Sequence, residues 1–189
     1  MKRTIAHFIC VAFGFAVALA SIASDAPADF AFTDLDGVTH RPLEPGDRVA
    51  SVLVFFWHDC PMSNAYAPEL NRIAAAHTNF AFYIVQVDAD LTVAAAKEHA
   101  RAFALRPPVL LDPHHRLVKR VHATVTPQAV VVGKNGDVLY RGRIDDGYPA
   151  LGKKRAAVTE HDLIDALDSL ASGRPLKRTE TKCPGCLIQ

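Results

Sequence analysis

The sequence predicts an α/β protein with a central mixed β-sheet flanked by helices. Continuous apolar runs at 51–57 and 80–88 are typical of strands that are buried on both faces. Each run precedes a segment whose apolar residues recur every three to four positions, as on a helix. This alternation predicts a parallel βαβ unit with a right-handed crossover. Farther along, Asn135-Gly136 separates two extended segments and predicts an antiparallel hairpin with a type I′ turn.

The other elements have local signals of their own. Asp36-Gly37, between two extended segments, predicts an N-terminal β-hairpin that extends the domain. Thr92 and Thr159 are suitable N-caps for two of the helices, and Gly173 is a suitable end for the last one. The predicted helices cover about 62–77, 92–105, 115–122 and 159–171. The predicted strands of the sheet cover 51–57, 80–88, 109–111, 129–133 and 138–144.

The composition indicates one domain with a substantial core. The chain has 189 residues, half of them hydrophobic, which is enough for such a core. The formal net charge is only +1, and the basic triplet at 153–155 is short. A solvated surface explains such a triplet better than a binding patch does. We therefore expect no nucleic-acid partner.

The N-terminal residues have the pattern of a secretory signal peptide. A basic start is followed by an apolar run at 5–20 that ends in small residues. The run is short for a membrane span, although an uncleaved anchor is the alternative. We expect a periplasmic or secreted protein with no stable membrane span after cleavage. The expected segments are a signal peptide at 1–23, a domain at 24–173 and a C-terminal tail at 174–189.

Three cysteines remain once the predicted signal peptide, which contains Cys10, is removed: Cys60, Cys183 and Cys186. An oxidising compartment permits disulfide chemistry, and an odd count leaves at least one free thiol in a monomer. Cys60 lies where a strand is followed by a helix. The N–H groups and the dipole at a helix start favour the thiolate, which is the form that attacks disulfides and peroxides. An inert buried cysteine is the alternative.

Several motifs make the chain similar to a known superfamily. The order β-α-β-α-β-β-α, with a cysteine after the central strand and Thr-Pro before the hairpin, resembles the thioredoxin-like fold. The resemblance is strongest to its redoxin branch, the exported TlpA-like and peroxiredoxin-like bacterial proteins of the alkyl hydroperoxide reductase–thiol-specific antioxidant type. The matching motifs are Phe55-Phe56-Trp57, Cys60-Pro61, Pro68-Glu69-Leu70, Val125-Thr126-Pro127, Asn135-Gly136, Arg141-Gly142-Arg143-Ile144-Asp145-Asp146 and, at the C-terminus, Gly185-Cys186-Leu187-Ile188.

The resemblance implies roles for five residues. Cys60 would be the nucleophile, and Pro127 would follow a cis peptide bond and pack against it. Trp57, Pro61 and Thr126, together with Pro127, would contact the substrate. The resemblance also implies protein thiol or disulfide partners, or a small peroxide, with no bound cofactor and no metal. An ordinary trans-proline at a strand start is the alternative for Pro127.

Two positions depart from the family patterns. The second cysteine of a Cys-x-x-Cys motif would fall at Ser63, and a serine cannot resolve a mixed disulfide. The hydroxyl residue three positions before a peroxidatic cysteine would fall at Trp57, which argues against peroxidase activity. We therefore expect Cys186, or else Cys183, to resolve Cys60 from the tail.

The tail motif Cys183-Pro184-Gly185-Cys186 also permits other interpretations. The two cysteines could cycle or remain oxidised as a pair of their own. They could bind a soft metal ion such as copper(I), together with Cys60 or His58. The tail could also have no role. The leading hypothesis is an exported thiol–disulfide oxidoreductase, and its rivals are a thiol peroxidase, a Sco-like copper-binding module and a redox-inert scaffold.

The remaining polar residues have mainly structural interpretations. His58, two residues before Cys60, either shares its face and stabilises the thiolate or is simply exposed. Arg143 is expected in an ion pair, and Asp145-Asp146 is expected to cap a loop. The histidines expected on solvated helix faces are His77, His99 and His161.

Overall fold

The computed structural model describes residues 30–189, so the predicted signal peptide and Cys10 lie outside the described residues. Within this range, no helix combines the length and the apolar composition needed to cross a bilayer. The helices are α1 (Pro61–Ala76), α2 (Val93–Ala102), α3 (Arg116–Val121) and α4 (Asp162–Ala171). The strands are β1 (Phe32–Thr33), β2 (Thr39–His40), β3 (Ser51–Phe56), β4 (Ala81–Gln86), β5 (Val109–Leu111), β6 (Val125–Thr126), β7 (Gln128–Val132), β8 (Val138–Gly142) and β9 (Cys186–Leu187).

The central sheet is mixed, as the sequence predicts. Its five strands have the order β5-β4-β3-β7-β8. Strands β3, β4 and β5 are parallel, and β7 and β8 join the sheet in antiparallel pairs. The predicted N-terminal hairpin consists of β1 and β2, which form a separate two-stranded sheet. The fold class predicted from the sequence is therefore confirmed.

Strand β3 is completely buried because it lies between two hydrophobic clusters. Val52, Val54 and Phe56 join the cluster that contains the apolar faces of α1 and α4. Leu53 and Phe55 join the opposite cluster, which contains the apolar face of α3. Alternate side chains of a strand point to opposite faces, so an unbroken apolar run can fill both clusters. Each such side chain contributes about 1.5–3 kcal/mol of burial free energy, and together they fix the strand end that precedes Cys60.

Local signals at helix ends and turns are confirmed in part. Thr92 caps α2, since its hydroxyl accepts a hydrogen bond from Ala95 N at 3.2 Å. The prediction that Thr159 caps the last helix is wrong. The cap position is His161, and Thr159 instead donates from its N–H and hydroxyl to Asp146. The buried carboxylate of Asp146 thus holds Thr159 in the loop before the helix begins.

The predicted type I′ turn between β7 and β8 is also wrong. That turn requires a positive φ at both central residues. Only Gly136 has one (φ +75°), whereas Asn135 does not. The turn closes instead with Gly136 N donating to Gly133 O at 3.0 Å. The register of the β7–β8 pair is irregular just before the turn, between Val131 and Val132. The hairpin itself forms as predicted.

The C-terminal tail is attached to the domain at two places. Residues 178–181, which we call the root, run beside β8. There Arg141 N donates to Thr179 O at 2.9 Å, and Thr181 N donates to Arg141 O at 3.1 Å. Its tip is β9, which pairs antiparallel with β6 so that Cys186 lies opposite Thr126. The sequence predicted the tail but not this strand, because a two-residue segment carries no periodicity.

Candidate redox site at the start of helix α1

Cys60 lies at the N-cap of α1, directly after the turn that ends β3. Its N–H donates to Trp57 O at 2.9 Å, and its carbonyl accepts from Asn64 N at 3.1 Å. Pro61 occupies the first helical position, where the missing N–H would have had no intrahelical partner. The strand, the turn and the proline therefore place the sulfur at the positive end of a 16-residue helix.

The thiol of Cys60 is surrounded by groups that favour its ionised form. The residue is completely buried, and its Sγ lies 2.6 Å from Cys186 Sγ. Burial acts to raise the pKa of Cys60, but hydrogen bonds from Cys186, Ser63 and Thr126 outweigh it and lower the pKa below its ordinary value. The hydroxyls of Ser63 and Thr126 are buried and have no other hydrogen-bond partner in the described part of the chain. Both are therefore available to a thiolate.

The tail cysteines have the opposite tendency. Burial, together with the contact to Cys60, raises the pKa of Cys186 to about 12. Burial raises the pKa of Cys183 to about 12 as well, and its Sγ donates to Pro127 O at 3.1 Å. All three cysteines of the described residues are free thiols. The negative charge therefore belongs on Cys60, and Cys186 is the protonated donor beside it.

The residues predicted to contact a substrate surround this site, but the tail covers two of them. The peptide bond between Thr126 and Pro127 is cis, as the resemblance implied. Both residues are buried, and Thr126 O lies 3.4 Å from Cys60 Sγ. Trp57 and Pro61 are exposed, Trp57 with 37% of its surface. Trp57 lines a cavity of about 200 Å³ whose other walls include the tail tip.

The structure places the ring of His58 against acidic side chains. His58 Nδ1 lies 2.9 Å from Asp88 Oδ2 without hydrogen-bond geometry, and Nε2 lies 3.3 Å from Asp59. The prediction that His99 is solvated is wrong: it is half-buried, and its Nε2 bonds Asn64 Oδ1 at 2.8 Å. His77 is also mostly buried, with its Nδ1 near Ile73 O. Nothing in local sequence shows that these helices pack their histidines inward.

The loop-cap and ion-pair predictions are confirmed. Arg143 Nε donates to Asp162 at 2.6 Å and the guanidinium also contacts Glu160. Asp145 accepts from Gly147 N, and Asp146 accepts from the backbone that precedes α4. Across residues 30–189, no three His, Cys, Asp or Glu side chains form a group that could hold a metal ion.

Comparison with known proteins agrees with the fold. The AhpC/TSA family matches residues 22–141, which is more than half of the chain. The chain belongs to this family. It is 27% identical over 120 residues to the thiol-disulfide oxidoreductase ResA of Bacillus thuringiensis subsp. konkukian and to that of Bacillus cereus, covering 62% of this chain and 67% of each relative. The redoxin resemblance stated from the motifs is thereby confirmed.

Solved structures show the same fold. An uncharacterised conserved protein from Geobacillus kaustophilus is 26% identical with a TM-score of 0.70, covering 85% of this chain and 87% of that one. A hypothetical protein from Sinorhizobium meliloti is 24% identical with a TM-score of 0.68, covering 85% and 90%. A secreted Mycobacterium tuberculosis disulfide oxidoreductase, homologous to Escherichia coli DsbE, is 22% identical with a TM-score of 0.54, covering 75% and 96%.

The AhpC/TSA match includes Cys60 and the Thr126-Pro127 bond but ends before the tail. The tail cysteines must therefore be argued from the geometry of this chain alone. Sequence reasoning treated Ser63 only as the place of a missing cysteine, and its hydroxyl at the thiolate was missed. The available signal was its position in the first turn of α1, three residues after Cys60.

Proposed function

We propose that this chain is an exported thiol–disulfide oxidoreductase in which Cys60 is the nucleophile and Cys186 resolves it. One observation carries this proposal: the two sulfurs lie 2.6 Å apart although 126 residues separate them in the chain. The lowered pKa of Cys60 and the raised pKa of Cys186 give the two thiols unequal roles. The likeness to ResA supports the same reaction class.

In the first step, the Cys60 thiolate attacks one sulfur of a partner's disulfide. A bond forms between Cys60 and that sulfur, the partner's disulfide breaks, and its other sulfur leaves as a thiolate. Cys186 then loses its proton to the departing thiolate or to water and attacks Cys60 Sγ. The Cys60–Cys186 disulfide forms, and the partner leaves with two reduced sulfurs. Two electrons from a dithiol protein of the same compartment restore both thiols.

Cys183 provides a second step in this scheme. Its thiol is held near Pro127 O and is only three residues from Cys186. Attack by Cys183 on Cys186 moves the disulfide to the tail pair and releases Cys60 as a thiolate. The tail disulfide would then be the form that the electron donor reduces. No cofactor is required, and Trp57 and Pro61 are the exposed residues that a partner would contact first.

A thiol peroxidase is the second candidate, and the AhpC/TSA match favours it. The Cys60 thiolate would attack a peroxide oxygen to give a sulfenic acid and water or an alcohol. Condensation with Cys186 would then release water and form the same disulfide. Trp57 stands where that chemistry would use a hydroxyl side chain. Rapid sulfenic acid formation on Cys60 with hydrogen peroxide would replace the first proposal with this one.

Single-cysteine variants test the proposal directly. The mature protein and its Cys60→Ser, Cys183→Ser and Cys186→Ser variants are mixed with a disulfide-containing protein, and the products are mapped by mass spectrometry. We expect the Cys186→Ser variant to accumulate a mixed disulfide at Cys60. The Cys183→Ser variant is the matched control, and it should still form the Cys60–Cys186 bond. Full turnover by Cys186→Ser would contradict the proposal.

A further inference from the structure

The tip of the tail pairs with a backbone edge beside Cys60. Thr124, Val125 and Thr126 provide this edge, which we call the docking edge. Its pairs are Val125 with Leu187 and Thr126 with Cys186, and Ile188 N donates to Thr124 O at 3.0 Å. In this register, Cys186 lies opposite Thr126 and its Sγ contacts Cys60 Sγ. Backbone pairing does not depend on side-chain identity, so another chain can form the same pairs.

The residue before the cysteine is restricted to glycine in this register. A Cβ added at Gly185 would lie 2.5 Å from Thr126 O and 3.1 Å from Val125 Cβ. The φ of Gly185 is not positive, so the restriction is one of space rather than of backbone conformation. Thr126 is buried, so its carbonyl group has little room to move. Any larger residue must therefore move the segment away from the edge.

The residue two positions after the cysteine meets an apolar surface. Ile188 packs against the cluster of α3, and it lines the cavity that Trp57 borders. Leu187, in contrast, keeps 71% of its surface exposed. The edge therefore selects glycine before the cysteine and an aliphatic side chain two positions after it, and accepts variation at the position between.

The tip of the tail can leave the docking edge while the root stays in place, because the two have separate contacts. The root has side-chain attachments of its own: Arg178 donates to Asp162 at 3.0 Å, and Thr181 Oγ1 bonds Tyr140 OH at 2.9 Å. Four residues, 182–185, join the root to β9. Release of the tip breaks the short β6–β9 pairing, the contact between Cys186 and Cys60, and the packing of Ile188. With the tip in place, Cys60 is completely buried and a protein disulfide cannot reach it.

We propose that the docking edge binds a partner's extended segment of the form Gly-Cys-x-aliphatic and that the tail tip is its tethered competitor. This inference rests on the proposed function and names the partner class for the same site. The partner's segment replaces the tip and presents its disulfide sulfur to Cys60. After the mixed disulfide forms, return of the tip both resolves it and expels the segment.

The experiment uses the mature chain with Cys183→Ser and Cys186→Ser, so that Cys60 is the remaining thiol. Eight-residue peptides containing Gly-Cys-Leu-Ile or Ala-Cys-Leu-Ile carry the cysteine as a disulfide with thionitrobenzoate. Attack by Cys60 forms the Cys60–peptide disulfide and releases the coloured thionitrobenzoate anion. We expect the glycine peptide to react about tenfold faster, which corresponds to a modest overpacking cost for the alanine methyl. Equal rates for the two peptides would overturn the proposal.

A second measurement tests the competition by the tail. Adding Gly185→Ala to the same background should weaken tip docking and speed the reaction with the glycine peptide about tenfold. Lys182→Gln is the matched control, because Lys182 is exposed in the same tail and should leave the rate unchanged. An unchanged rate in Gly185→Ala, with an unaltered circular dichroism spectrum, would show that the tip does not compete.

A small disulfide separates this inference from the proposed function. Dithionitrobenzoate needs no backbone pairing, so in the Gly185→Ala background, where tip docking is weakened, its reaction reports the nucleophilicity of Cys60. A fast reaction with this reagent and no preference between the peptides would overturn the docking proposal while the oxidoreductase proposal stands. A reaction no faster than that of an ordinary thiol would overturn both.

Discussion

At the residue scale, the chemistry depends on which of the three thiols ionises most easily. Burial opposes the charge of Cys60, but hydrogen bonds from Cys186, Ser63 and Thr126 outweigh it and lower the pKa of Cys60. Burial raises the pKa of Cys186 and of Cys183 to about 12. The same low-dielectric surroundings thus shift the three pKa values in opposite directions, and the difference lies in the hydrogen-bond donors.

Removal of the Ser63 hydroxyl should make Cys60 a weaker nucleophile at neutral pH. In Ser63→Ala the thiolate loses a charge-assisted hydrogen bond, so the pKa of Cys60 rises and its alkylation rate at neutral pH falls about tenfold. The measurement is the iodoacetamide rate as a function of pH in a background without Cys183 and Cys186. Ser51→Ala is the matched control, since Ser51 is equally buried and also unpartnered but lies at the far end of β3. Equal rates in the two variants would remove Ser63 from the site.

The buried thiol of Cys183 should make the reduced protein sensitive to alkali. Its pKa is about 12 in the folded state and 9.0 when unperturbed, so between these values the unfolded state releases a proton that the folded state retains. The free energy of unfolding therefore falls as pH rises from 9 to 12. Cys183→Ser should reduce this slope, as measured by urea denaturation under reducing conditions at several alkaline pH values. An identical slope in the variant would show that Cys183 ionises freely in the folded protein.

At the scale of elements, the root of the tail holds the segment that carries Cys186 against the domain. Arg178 bridges Asp162 and Glu160 and so ties the tail to the start of α4. Asp162 is buried, whereas Glu160 and Arg178 are partly exposed. Solvent therefore weakens both ion pairs of Arg178 relative to a fully buried pair. The root thus contributes to position rather than to overall stability.

Loss of this tie should slow the formation of the Cys60–Cys186 disulfide. We expect Arg178→Ala to lower the rate about twofold to threefold, with a smaller difference from the wild type at high salt. The rate is followed by acid quenching and mass analysis during oxidation. Arg174→Ala serves as the control because Arg174 is an exposed residue of the same tail. Equal slowing by both variants would point to a general charge effect.

The elements also show what local sequence can and cannot predict. The position of Cys60 after β3 and the cap at Thr92 follow from local residue order, and both were predicted. The strand β9 depends on β6, which is far away in the chain, and a two-residue segment has no periodic signal of its own. The start of the last helix at His161 depends on Asp146, which binds Thr159 across an irregular loop and carries no local pattern. Both features were therefore missed.

At the scale of the whole molecule, oxidation joins the end of the chain to its centre. A Cys60–Cys186 disulfide closes a loop of 126 residues and reduces the entropy of the unfolded state. The chain-entropy relation gives a stabilisation of about 4–5 kcal/mol for a loop of this length. We expect the urea midpoint to rise on oxidation in Cys183→Ser, where the disulfide must stay between Cys60 and Cys186, but not in Cys186→Ser. A rise in Cys186→Ser would assign the bond to another pair.

The sequence by itself determined the α/β fold, the place of the reactive cysteine between strand and helix, and the absence of a local resolving cysteine. Those properties are encoded in residues that are neighbours in the chain, where apolar spacing and turn residues act directly. The tertiary structure alone decided that Cys186 rather than Cys183 contacts Cys60, that Ser63 faces the thiolate and that the tail covers the site. The first and the last of these depend on the register of β6 with β9, and register is set by packing between segments that are distant in sequence. The second depends on how the first turn of α1 packs beside Cys60.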